Sequence, residues 1–102
     1  MTIMRSWRGR ASAANADAYP EHFRRTVVPE LERVEGFLGA ELLKRTNGDE
    51  VEFLVQTRWE SMEAIRRFAG SEPEKAVVEP EAVAALIDYD RTVIHYEMIE
   101  EI

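Results

Sequence analysis

Between Val51 and Trp59 the chain alternates without a break. Val51, Phe53, Val55, Thr57 and Trp59 fall on one side, and Glu52, Leu54, Gln56 and Arg58 on the other. A period of two belongs to a strand with one buried face, so Val51–Trp59 reads as β-strand. Ile3–Trp7 alternates over a shorter span, Ile3, Arg5 and Trp7 against Met4 and Ser6, and predicts a first strand. Ala11–Ala16 is small and polar, a loop. The period then changes: Tyr19, Phe23, Val27, Leu31 and Val34 recur at spacings of four, four, four and three. They form the apolar face of a helix capped by Asn15 or Asp17, the latter choice placing Pro20 in the first turn, where a missing N–H does no harm. Pro29 lies inside the pattern and cannot donate to the carbonyl of Arg25, which predicts a kink or break near Val28.

Gly36-Phe37 closes that helix and opens a second strand, Leu38–Arg45. Asn47-Gly48 is the strongest turn signal in the chain, since both residues tolerate the positive φ of a type I′ hairpin. Ser61 caps a helix whose buried face is Met62, Ile65, Phe68 and Ala69, with Gly70 as its stop. Ser71-Glu72-Pro73-Glu74 has capping-box spacing and predicts a short helix to about Val78. Pro80 restarts the chain, and Val83, Leu86 and Ile87 give a last short helix. Asp88–Arg91 reads as a polar turn and Thr92–Ile99 as the final strand. The order βαββαβ predicts an α+β, ferredoxin-like fold: a four-stranded antiparallel sheet with helices on one face. No linker or repeat interrupts it, so residues 1–102 read as one domain. The last strand is apolar on both sides, Val93 and Ile99 against Ile94, Tyr96 and Met98, and Leu54 adds to the uncovered face. Two such faces packed together would bury that surface, which predicts a homodimer.

Composition narrows the function classes. Of 102 residues 45% are apolar, enough for one core, and the formal net charge is -7. The charge is uneven: residues 72–102 hold nine acids and two bases, while the first 71 balance. Such a surface repels phosphate backbones and anionic lipid, so neither nucleic acid nor membrane is an expected partner. Arg5, Arg8 and Arg10 have no acid nearby in sequence and read as solvated or paired side chains rather than an anion patch. With no cysteine there is no disulfide framework, thiolate cage or cysteine nucleophile. No apolar run approaches the ~20 residues that span a bilayer, and Met1–Arg10 lacks a signal-peptide core, so a cytoplasmic protein is expected.

No compact catalytic motif is present; the five glycines are scattered, with no phosphate loop, nucleophile elbow or zinc helix. His22, one turn into the first helix, is either a general base at the mouth of a pocket or a half-exposed helix histidine. His95 is either a buried base held by Glu97 or a carbonyl, or a polar residue of the dimer interface. The two histidines are not at metal-ligand spacing, and no metal is expected. Tyr19, Phe23, Phe53 and Phe68 line presumed inward faces and are core by default. Trp7 and Trp59, on central strands, can also floor a flat aromatic cavity.

The stretches "YPEHFRRTVVPELERVEGFLGAELLKR", "VEFLVQTRWESMEAIRRFAGSEPEKAVV" and "RTVIHYEM" resemble the antibiotic-biosynthesis monooxygenase family of dimeric α/β-barrel proteins, from about Trp7 to Met98. The resemblance implies a homodimer whose two sheets form a barrel, each subunit keeping a cavity between sheet and helices. It also implies, for some members, oxygenation of polycyclic aromatic substrates without metal, flavin or haem. Carried onto this chain, it gives a cofactor-independent monooxygenase-like protein for a small aromatic or polyketide-like compound. Trp7, Tyr19, Phe23, Phe53, Trp59 and Phe68 would bind it, His22 or His95 would serve as base, and Arg5 or Tyr96 would steady the oxyanion. The haem-degrading branch carries an Asn, a Trp and a His where this chain has Trp7, Arg67 and Val77 or Val78, which argues against haem degradation. The second reading is a non-catalytic homodimer, small-molecule-binding or stress-related. An open, aromatic-lined cavity of several hundred Å³ would favour the enzyme, and a filled one the binder.

Overall fold

A computed structural model describes residues 1–102, in which three long strands form the body of one antiparallel sheet: β1 (Ile3–Ser12), β2 (Phe37–Asn47) and β3 (Glu50–Trp59). β3 lies between β2 and β1. The other edge of β1 is shared by two short strands, β4 (Asp88–Tyr89) against Gly9 and Arg10, and β5 (Ile94–Glu97) against Ile3–Ser6. The fourth position of the ferredoxin-like α+β sheet is therefore one strand broken in two. Four helices, α1 (Ala18–His22), α2 (Val28–Glu32), α3 (Met62–Ala69) and α4 (Pro80–Ala85), pack on a single face. The alternation of β3 decides which face: Val51, Phe53, Val55, Thr57 and Trp59 are all buried beneath the helices. Phe53 and Val55 join Tyr19 and Phe23 in one core cluster, and Trp59 joins Leu31, Ala64 and Ile65 in another. No helix is long and apolar enough to cross a membrane.

Several elements depart from the sequence reading. β1 runs five residues past Trp7, into the first two residues of the expected loop, because Gly9 and Ala11 are small enough to lie under the helices while Arg8 and Arg10 project from the other face. In the hairpin Asn47 pairs with Glu50, so the two-residue loop is Gly48-Asp49. Only Gly48 has positive φ (63°), the pattern of a type II′ turn rather than type I′. Pro29 does not break the first helix. Residues Phe23–Val27 wind as a π-helix between α1 and α2, and the Val28 N–H reaches back five residues to the Phe23 carbonyl. This wider turn absorbs the missing proline donor, and it suits a side-chain spacing of four better than an α-helix with 3.6 residues per turn.

The helix expected over residues 71–78 is absent. Its backbone is engaged elsewhere: the Ala76 N–H donates to the Arg91 carbonyl (2.9 Å), and the Val93 N–H donates to that of Glu74 (2.8 Å). α4 buries Ala82 and Ala85, leaving Val83 and Ile87 exposed. Asp88 and Tyr89 belong to a strand, not a turn.

The face of the sheet away from the helices is uncovered. Leu43 stands opposite Leu54, Met4 opposite Tyr96, and Ser6 opposite Ile94. Leu43, Ile94 and Tyr96 are 47, 49 and 55% exposed. Arg58 crosses this face to pair with Glu41, and Arg8 pairs with Glu52 at 3.3 Å.

Candidate functional site

A cavity of about 60 Å³ lies between the sheet and its helical cover. Arg5, Trp7, Val55 and Thr57 contribute from the strands; Tyr19, His22, Glu30, Leu31 and Phe68 come from α1, α2 and α3. Val77, Val78 and Glu79, from the extended segment before α4, complete the wall. Trp7 takes its place because Gly9 has no side chain: a Cβ there would stand 2.7 Å from Trp7 Cη2. The indole Nε1 donates to the Asp90 carbonyl (2.7 Å), and the ring packs between Tyr19 and Tyr89, with centroids 5.7 and 6.4 Å away.

His22 is buried, only 8% exposed. Its Nδ1 lies 3.2 Å from Oε2 of Glu81, whose own side chain is mostly in solvent. Its Nε2 is buried without a partner. Pairing the Nδ1–H with a carboxylate leaves Nε2 as a lone-pair acceptor on a ring that lines the cavity. Tyr19 stacks near this ring (6.0 Å), its phenol held well above the ordinary range by burial and by the charge of Glu79. The Glu79 carboxyl is itself raised by burial and by the charge of Glu30.

Arg5 is the structural brace of the site. Its guanidinium donates to the carbonyls of Pro73 and Lys75 (3.0 Å for Lys75) and lies 5.8 Å from the Phe68 ring centroid. Burial lowers its pKa to about 10, with Glu74 opposing. It also stands 3.1 Å from His95 Nε2. A guanidinium only donates, so that nitrogen is the acceptor and the imidazole is neutral. Burial first, and then Arg5, holds the His95 pKa below its ordinary value.

The sequence matches the antibiotic biosynthesis monooxygenase family over residues 2–80. The chain belongs to that family. Two solved structures of similar fold are a heme-degrading protein from Mycobacterium tuberculosis and SnoaB, a cofactor-independent oxygenase from Streptomyces nogalater, in a single-residue variant. The first is 22% identical with a TM-score of 0.68, covering 100% of this chain and 99% of that one. The second is 20% identical with a TM-score of 0.66, covering 98% and 95%. No curated protein matches the sequence.

Within this monooxygenase-family fold, five of the ten residues singled out from sequence line the cavity: Arg5, Trp7, Tyr19, His22 and Phe68. The other five do not. Phe53 and Phe23 are buried in the core, Phe53 packing on Tyr19 at 5.4 Å. Trp59 is sealed between Phe37 and Phe68, its Nε1 donating to Thr57 Oγ1 at 2.8 Å. His95 points to the helical side, but its Nε2 is spent on Arg5. Tyr96, one residue on, lies on the opposite, uncovered face against Met4. Strand alternation cannot aim both His95 and Tyr96 into one cavity. The reading missed Glu30, Glu79 and Glu81. Glu79 precedes Pro80 at a helix start, which flags position in the fold, but nothing in the sequence brings it beside Glu30 and His22.

Proposed function

We propose that this family member is a cofactor-independent monooxygenase-like enzyme acting on a small aromatic or polyketide-like compound, with His22 as its base. The observation that carries the proposal is the buried, unpartnered Nε2 of His22 on an aromatic-walled cavity, its Nδ1 anchored by Glu81. A carboxylate on Nδ1 fixes the tautomer and stabilises the imidazolium formed when Nε2 takes a proton. In an anthrone-type substrate that proton leaves a ring carbon. The carbanion reduces dioxygen to a bound peroxide, and the peroxide loses water to leave a ketone. One oxygen atom enters the product, the other leaves as water, and the substrate supplies all the electrons. Within the site, the Arg5 guanidinium is the cationic group available to a developing oxyanion.

The volume of the cavity favours a second reading. About 60 Å³ is room for only a few waters, where ligand sites commonly enclose ~300 Å³ or more. A polycyclic substrate enters only if Val77 and Val78 move outward; the two lie in extended chain between Ala76, bonded to Arg91, and Glu79 at the start of α4. If they do not move, the protein is a non-catalytic homodimer that binds something smaller. Oxygen-electrode assays with an anthrone separate the two. Turnover is expected for the wild type, with kcat reduced about 10²–10⁴-fold in His22→Gln. Undiminished turnover in the variant removes His22 as base, and no uptake by the wild type leaves the binder.

We further propose that the protein is a single-domain homodimer joined through the uncovered sheet face. Support comes from Leu43, Leu54, Ile94 and Tyr96 standing together there with no helix over them.

A further inference from the structure

One end of the cavity carries more negative charge than the proposed reaction uses. Glu30 from α2 and Glu79 from the start of α4 both line it, and the charge of Glu30 bears on the Glu79 carboxyl. Arginine or lysine answers seven of the twenty acids, Glu21, Glu41, Glu52, Glu63, Glu72, Asp88 and Asp90. Neither Glu30 nor Glu79 has such a partner. Beside them sits His22, more than nine-tenths buried, with Nε2 as an acceptor that nothing in the protein satisfies. Two carboxylates and an imidazole nitrogen thus line one cavity. The rest of the wall is aromatic and apolar: Trp7, Phe68, Leu31 and Val55.

Acceptors without donors, next to ring faces, complement a group that only donates and is cationic. A primary ammonium has three N–H donors and no acceptor, and it gains further from aromatic faces. We propose that this site takes an aromatic compound bearing a protonated primary amine, the ammonium held by Glu30 and Glu79 and the ring lying against Trp7. The inference rests on the proposed function only in placing the ligand in this cavity. His22 Nε2 remains free to take a proton from the ring system. The cavity volume matches the ammonium end, while the ring takes the space vacated as Val77 and Val78 move outward, with Glu79 kept in place at the start of α4, where its carbonyl accepts from the Ala82 and Val83 N–H groups. The Glu79 carboxyl is raised by burial first and by Glu30 second, and a cation between the two acids relieves the second of these.

Three probes with one ring and different charge make the test: tyramine, 4-ethylphenol and 3-(4-hydroxyphenyl)propanoate, each titrated calorimetrically at pH 7. Tyramine is expected to bind about five- to ten-fold tighter than 4-ethylphenol, the half-exposed acids giving less than a buried pair would. The propanoate is expected to bind weakest. Glu30→Gln and Glu79→Gln, on separate elements, are each expected to abolish the preference for tyramine while sparing 4-ethylphenol. Equal affinity for tyramine and 4-ethylphenol, binding of none of the three, or a tyramine preference that survives both substitutions would overturn the proposal. Oxygen uptake with an anthrone is read separately. Turnover without a tyramine preference removes the amine and leaves the oxygenase; a tyramine preference without oxygen uptake does the reverse.

Discussion

Glu79 shows how a single side chain can serve a site and weaken the fold. Burial and the nearby Glu30 raise its carboxyl pKa above the ordinary 4.5, so the folded protein holds that proton more tightly than the unfolded chain does. Between the two values the native state binds more protons, and stability falls as pH rises. The contribution is therefore greatest below about pH 4.5 and is lost as pH climbs through the raised value. Glu79→Gln cannot ionise and is expected to melt higher than the wild type at pH 7, with the gap closing near pH 4. Thermal unfolding followed by circular dichroism across that range checks the sign. A group kept at a cost to stability is a common mark of function. His95 works in the opposite sense. With its pKa held below 6.5, it is neutral in the fold and opposes folding only as pH drops below that value.

At the level of elements, the buried Arg5 ties β1 to the crossing segment by donating to the carbonyls of Pro73 and Lys75. Arg5→Met keeps the stem but strands those acceptors, and it is expected to destabilise the protein by about 2–4 kcal/mol in chemical denaturation. The same link explains what the sequence could and could not reveal. The alternation of β3 and the Ser61 cap, whose hydroxyl accepts the Ala64 N–H at 3.1 Å, are local patterns and were legible. The helical spacing of four was legible too, and the irregularity expected near Val28 as a kink or break takes the form of a π-turn over Phe23–Val27. Ser71–Glu74 looks like a helix start, yet Arg5 and the extended segment 91–93 claim its backbone from about seventy and twenty residues away, respectively. Half of the candidate site was visible because Arg5, Trp7, Tyr19, His22 and Phe68 sit on strongly patterned elements. The acidic half was not, because Glu30 and Glu79 meet only through the return of α4 against α1.

For the whole molecule, the decisive feature is a sheet dressed on one side only. Leu54→Asp places a charge amid Leu43 and its neighbours on the bare side while leaving the helical core alone. Sedimentation at micromolar concentration is expected to show a dimer for the wild type and a monomer for Leu54→Asp; a monomeric wild type would remove the dimer. Alternation assigns odd-numbered residues of β1 to the cavity and even-numbered ones to the bare side, so no side chain of that strand serves both. The proposed guest capture and self-association would thus be insulated from each other by the thickness of a single pleated layer. Each of two joined copies would fill its own chamber without informing the other, and saturation would follow a simple hyperbola.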